Sequence, residues 1–296
     1  MTANSFLDRL SSGDILVLDG ATGTNLQRRG LPSGMPSDVW VLDNPAAVRQ
    51  LYADFLAAGS DILLTNTFGS SRLHLGHAGL ADRFEETNRR AVELLREVIQ
   101  GTPTLAAGSL GPLGEMLQPY GSLSAEDAER YYAEQAQVLS AAGVDLLVVE
   151  TQFDLTEALA AVRGVRTVSD LPLVCSFSYD RGARTMMGVK PAQMALALVD
   201  HGVAALGINC GRSLEDNLKA LHELRQATNL PLWFKPNAGL PRTDESGALH
   251  YDVTPEIMAG QVPAWIEAGA RLIGGCCGTS PEHLQAIARV VKDRRP

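Results

Sequence analysis

The stretch Gly269-Ala270-Arg271-Leu272-Ile273-Gly274-Gly275-Cys276-Cys277-Gly278-Thr279-Ser280-Pro281 holds one whole repeat of the chain's organisation. Gly269 follows an apolar helical face, where a left-handed C-cap costs glycine least. Arg271–Cys277 is a short apolar run that ends in polar chemistry. Ser280-Pro281 then pairs an N-cap side chain with proline at the first helical position. Working outward, the same helix-glycine-strand order recurs at Gly59, Gly143 and Gly202, and Asn44-Pro45 and Thr254-Pro255 repeat the helix start. Further apolar runs lie at Asp14–Asp19, Asp61–Thr67, Thr104–Ser109, Asp145–Thr151, Pro172–Ser178, Ala204–Cys210 and Pro231–Asn237. Few of them alternate polar with apolar, which is how parallel strands buried on both faces read. Eight strands alternating with helices in 296 residues predict an α/β protein, a (β/α)8 TIM barrel spanning residues 1–296 as one domain. A doubly wound open sheet is the rival, but Gly20-Ala21-Thr22-Gly23 is too short for a dinucleotide-binding Gly-x-Gly-x-x-Gly turn.

Composition narrows the function. Hydrophobic residues make up 45% of the chain and aromatic ones only 5%, enough for a large aliphatic core. Lys and Arg number 25 against 34 Asp and Glu, and the net charge of −9 would repel a phosphate backbone, so nucleic acid is not an expected partner. No apolar run approaches the roughly 20 residues that a membrane helix needs. Met1–Ser12 carries Asp8 and Arg9 and has no basic start followed by an apolar run, so no secretion signal is read and a cytoplasmic location is expected. Four cysteines, two of them adjacent, are too few and wrongly spaced for a disulfide framework, which leaves free thiols for chemistry or metal binding.

In a barrel of this kind the site lies at the carboxyl ends of the strands. Those ends carry Asp19, Asn66, Ser109, Glu150, Ser178, Cys210, Asn237 and the pair Cys276-Cys277, an almost wholly polar set. The two longest connections, Leu31–Asn44 and Leu110–Ser124, follow strands on the same face and read as candidate lids. Cys210, Cys276 and Cys277 sit at the ends of the sixth and eighth strands, close enough to converge, whereas Cys175 inside Leu173-Val174-Cys175 reads as a core residue. Three thiolates match a tetrahedral Zn²⁺ site whose fourth position stays open. None of the six histidines lies at a strand end, which disfavours a metal hydrolase. Three thiolates on Zn²⁺ leave a net charge of −1, a poor Lewis acid but a good holder of a substrate thiolate, and a soft sulfur nucleophile attacks methyl carbon.

The motifs Asp19-Gly20-Ala21-Thr22-Gly23-Thr24, Thr65-Asn66-Thr67-Phe68-Gly69, Gly108-Ser109-Leu110-Gly111-Pro112, Val149-Glu150-Thr151, Gly207-Ile208-Asn209-Cys210, Pro236-Asn237-Ala238-Gly239 and Gly274–Thr279 resemble those of the homocysteine S-methyltransferase family. The likeness extends to the homocysteine-binding domain of cobalamin-dependent methionine synthase and to betaine-homocysteine methyltransferases, and it runs from the first strand to the last. It implies methyl transfer to the thiol of L-homocysteine to give methionine, with Zn²⁺ as cofactor. Cys210, Cys276 and Cys277 would be the metal ligands and Asn237 an oxygen ligand that yields to substrate. By the same resemblance Glu150 would bind the substrate ammonium, and Asp19 and Gly20 would flank its carboxylate, with Asn66 and Ser109 as further contacts. The methyl donor stays open between methylcobalamin on a separate corrinoid protein, betaine and another onium. Gly69 stands where animal betaine enzymes carry tyrosine, Trp40 is offset from their donor-pocket tryptophan, and Gly278 replaces the arginine usual in S-methylmethionine users. A non-catalytic zinc- and homocysteine-presenting subunit, or a methyltransferase for a different thiol or a selenol, are the alternatives.

Overall fold

Eight parallel strands close on themselves in the computed structural model, which describes residues 5–243 and 249–294. They are β1 (Leu16–Val17), β2 (Ile62–Leu64), β3 (Leu105–Leu110), β4 (Leu146–Gln152), β5 (Leu173–Phe177), β6 (Ala205–Cys210), β7 (Leu232–Pro236) and β8 (Ala270–Ile273). Each overlaps its predicted run. Neighbours follow chain order, β8 pairs with β1 through Leu16 opposite Leu272, and a bridge between Leu18 and Ile62 joins β1 to β2. An open doubly wound sheet is thereby excluded. Residues 1–4, part of the stretch read for a leader and of the predicted 1–296 domain, lie outside the described residues, as do 244–248 and 295–296. Among the described residues no helix is long and apolar enough to cross a membrane.

Strand alternation divides the core in two. Leu16, Leu18, Ile62, Leu64, Leu105, Ala107, Leu146, Val148, Val174, Ala205, Trp233 and Leu272 point inward and pack with Phe6 as the barrel interior. Their neighbours, such as Val17, Leu63, Ala106, Leu147, Cys175, Leu206, Phe234 and Ile273, point outward into the helices. The amino-terminal helix Phe6–Ser11 thus closes the lower end of the barrel, held by Arg9 on Asp61 at 2.8 Å. A Cβ on Gly207 would lie 2.5 Å from the Trp233 carbonyl and 2.6 Å from its Cβ, so this glycine makes room for the largest interior side chain.

The predicted punctuation is present. Gly59, Gly143, Gly202 and Gly269 have φ of 99°, 96°, 73° and 99°. Asn44 and Thr254 cap their helices by accepting from Ala47 N–H and Ile257 N–H. Ser280 instead donates its backbone N–H to Nδ1 of His283, which assigns that histidine to a helix start. The loop after β7 contains a short antiparallel pairing of Arg242–Thr243 with Leu249–His250 that the sequence did not announce.

Candidate metal centre and active site

The inward positions that are apolar low in the barrel become polar one step higher. Above Ala107, Val148, Val174, Gly207 and Trp233 stand Ser109, Glu150, Ser176, Asn209 and Lys235, all buried. Of these, Ser109, Glu150 and Lys235 line a cavity of about 240 Å³ at the carboxyl ends of the strands. Asp19, Gly20, Asn66, Ser109, Glu150, Cys210, Cys276 and Cys277 of the predicted set all line it, and Lys235 joins them. Asn237 and Ser178 do not line it. Ser178 donates instead to Asp180 at 3.2 Å.

The three sulfurs lie within 4.8 Å of one another, with Cys210 Sγ and Cys277 Sγ 3.9 Å apart. Tetrahedral zinc with bonds near 2.3 Å places sulfurs about 3.8 Å apart, so the cluster has the size of a metal site. Cys210 reaches it through a left-handed backbone, φ 63°, which a non-glycine residue adopts only when its surroundings enforce it. Those surroundings are explicit: Asn217 Nδ2 donates to the Cys210 carbonyl at 2.7 Å and Asn237 Nδ2 to the Gly211 carbonyl at 2.8 Å. The vicinal pair is fixed by Cys276 N–H to Pro236 O (2.9 Å) and Ala238 N–H to Cys277 O (2.9 Å). Asn237 Oδ1 is buried with no hydrogen-bond partner, the state expected of an oxygen reserved for a ligand. The residues present and the sulfur spacing fit a Cys₃ site.

Asn209 ties this cluster to the neighbouring strands. Its Oδ1 accepts from Thr151 N–H (2.8 Å) and Ser176 Oγ (2.6 Å), and its Nδ2 faces Thr151 Oγ1 (2.6 Å) and Cys276 Sγ (3.9 Å). Thr151, at φ 62°, is a second strained residue in the wall. Thiol hydrogen bonds from Cys210 and Cys277, aided by the charge of Lys235, drive Cys276 well below the ordinary thiol range although burial opposes this.

Lys235 was not anticipated from the sequence. Its Nζ lies 2.6 Å from Asp19 Oδ1 with both side chains almost wholly buried. Burial disfavours its charge, but Asp19 and Glu150 beside it outweigh this and raise its pKa. Asp19 also accepts from Leu64 N–H at 2.7 Å, so both its oxygens are engaged by the protein, and it spans β1, β2 and β7. Glu150 accepts from Ser109 Oγ at 2.6 Å, and burial pushes its carboxyl up to about 7. Asn66 is occupied with Ser37, donating to its carbonyl (2.8 Å) and accepting from its hydroxyl (2.9 Å). Of the two long connections, only Leu31–Asn44 reaches the cavity, through Ser37. Trp40 packs against the core, and a Cβ on Gly69 would already press on Asp38 at 3.2 Å, so neither position supplies an aromatic donor wall.

Comparison with known proteins agrees with this geometry. A family model described as homocysteine S-methyltransferase matches residues 16–291. The methionine synthase of Mycobacterium tuberculosis (strain ATCC 25618 / H37Rv) is 30% identical over 308 residues, covering 98% of this chain and 26% of that protein. The chain therefore spans about a quarter of the length of this curated relative. Among solved structures, the homocysteine methyltransferase MmuM from Escherichia coli in its metallated form aligns with a TM-score of 0.81 at 28% identity, covering 95% of this chain and 97% of that chain. Its apo form aligns with the same coverages at 29% identity and a TM-score of 0.73. On the family match across nearly its whole length, the chain belongs to the homocysteine S-methyltransferase family.

Proposed function

We propose that the chain is a zinc-dependent methyltransferase that transfers a methyl group to the thiol of L-homocysteine and yields methionine. The observation that carries this reading is the Cys210, Cys276 and Cys277 cluster, sized for one ion and set in a cavity that Glu150, the Asp19–Lys235 pair and the Gly20–Thr24 turn also line.

Zinc, when bound there, favours loss of the proton of an incoming thiol at neutral pH and leaves the sulfur nucleophilic. The chain's residues do the rest. The three cysteines would hold the ion, with Asn237 Oδ1 as the candidate displaceable fourth ligand. Glu150, with one oxygen fixed by Ser109, receives the ammonium, and that positive charge restores the ionised carboxylate. The Gly20 amide receives the carboxylate. Lys235 and Asp19 lock the wall between strands and receive no proton in the reaction. The substrate sulfur attacks the methyl carbon in line: a C–S bond forms, the bond from methyl to its carrier breaks, and the carrier keeps that electron pair. The thiol proton has already left to solvent, so no general base acts in the transfer. Holding acceptor and donor in line in a water-poor cavity supplies the rate gain.

A second reading has a specific observation behind it. The likeness to a methionine synthase favours delivery of the methyl group by a corrinoid protein to a subunit that presents homocysteine. The test is methionine formation from L-homocysteine by the zinc-loaded protein with betaine, with a sulfonium donor and with a methylated corrinoid protein. Turnover with a free onium establishes a self-sufficient enzyme, and turnover with the corrinoid protein alone establishes the split assembly. Failure to bind homocysteine overturns both.

A further inference from the structure

Tyr251 belongs to the loop after β7 and has no part in the chemistry described above. Its ring packs against Gly278, the residue after the cysteine pair. A Cβ there would meet the ring at 2.3 Å (Cγ) and 2.4 Å (Cδ1), and Gly278 has φ +82°. The glycine is thus needed twice, once for its backbone turn and once so that an aromatic ring can cover it. The Tyr251 hydroxyl hydrogen-bonds Thr24, on the helix that follows β1, and Thr24 Oγ1 also accepts from Gly278 N–H at 3.3 Å. Gly278 directly follows Cys277, so the ring lies beside that end of the thiol cluster. The loop is pinned just beyond the ring, by Val253 N–H to Ala238 O (3.1 Å) and by His283 Nε2 to Val253 O (2.9 Å). A half-buried aromatic side chain therefore bridges the loops after β1, β7 and β8 next to the cysteine pair.

We infer that Tyr251 is a positioning residue that shields the three-thiol centre from solvent and slows release of the ion it holds. The inference rests on the metal reading above. The ring is the shield, since it covers Gly278 beside the cysteine pair, and the Val253 contacts to Ala238 and His283 hold its loop in place. Outer partners of metal ligands commonly change metal affinity by about 10–100-fold when removed.

The experiment follows zinc leaving the full-length protein into excess EDTA, with a chromophoric indicator, for the native protein, Tyr251→Ala and Tyr251→Phe. Tyr251→Ala is expected to release zinc about tenfold faster or more, with Tyr251→Phe recovering most of the difference. Circular dichroism and the melting temperature of the metal-free proteins report whether the fold itself has changed. The rate at which a disulfide reagent modifies the cysteines of metal-free protein should rise in Tyr251→Ala as well, a readout that stands even if the native protein binds no zinc. Unchanged release and unchanged thiol reactivity in Tyr251→Ala would overturn the assignment, as would Tyr251→Phe behaving like Tyr251→Ala. A native protein without zinc but with thiols that Tyr251 protects would sink the metal reading and leave the shield standing.

Discussion

Replacing Glu150 by glutamine should remove a pH dependence of folding that the native metal-free protein carries. Burial lifts the Glu150 carboxyl from its ordinary 4.5 to about 7, with Cys276 and Asp19 adding to the rise and Lys235 and Ser109 opposing it. An acid whose folded pKa lies above its unfolded value binds its proton more tightly when folded. Its contribution is therefore complete below about pH 4.5, fades as pH rises through about 7, and is gone above it. A displacement of that size corresponds to about 3 kcal/mol. Glutamine imitates the neutral acid and keeps an acceptor for Ser109. The unfolding free energy of Glu150→Gln minus that of the native protein should then rise from near zero at about pH 4 to about 3 kcal/mol at about pH 8. Urea titrations of both metal-free proteins, followed by circular dichroism across that range, measure the difference and cancel groups common to both. A difference that stays flat with pH would refute the reasoning. The same replacement should abolish tight homocysteine binding, because the substrate ammonium loses the charge that the native site regains on binding.

Lys235→Met removes the ammonium from a buried pair and leaves Asp19 alone, a loss of about 3–5 kcal/mol that thermal or urea denaturation would register. The double variant Lys235→Met with Asp19→Asn should recover much of it, and equal destabilisation in both would contradict the pairing. Cys277→Ala should lose zinc yet keep its circular dichroism spectrum, because the barrel interior is aliphatic and independent of the thiols; a variant that cannot fold would make the metal structural. Homocysteine binding to the zinc-loaded protein should release more than one proton at neutral pH, that of the thiol and the share still held by Glu150, read by calorimetry in buffers of different ionisation enthalpy, and no release would contradict thiol ionisation on binding.

Much of this was legible in the chain. Residues such as Gly59 and Gly269 report helix ends because the left-handed turn they adopt penalises every side chain. The strand runs were equally legible because strands buried on both faces have little freedom in composition. The three cysteines could be brought together once strand order was known. Lys235 was missed because the strand ends were read as single positions and the alternation was not carried up each strand. Trp233, Phe234 and Lys235 alternate in, out and in, so a lysine above an interior tryptophan must sit inside the barrel mouth, where it is tolerated only if paired. Asn209 follows from Gly207 by the same step. The partners of Asn66 and Asp19 were not legible, since Ser37 and Leu64 meet them through loop geometry and closure of the barrel. Tyr251 was hidden too, because its meaning depends on Gly278 some distance along the chain.

The central claim is that three sulfurs of this chain hold one zinc ion and leave a place for the sulfur of homocysteine. Zinc X-ray absorption on the purified protein, with and without L-homocysteine, counts the sulfur neighbours directly. The account predicts three sulfurs and one light atom alone, becoming four sulfurs with homocysteine. Three sulfurs persisting at saturating homocysteine would contradict it, and so would a protein that takes up no zinc.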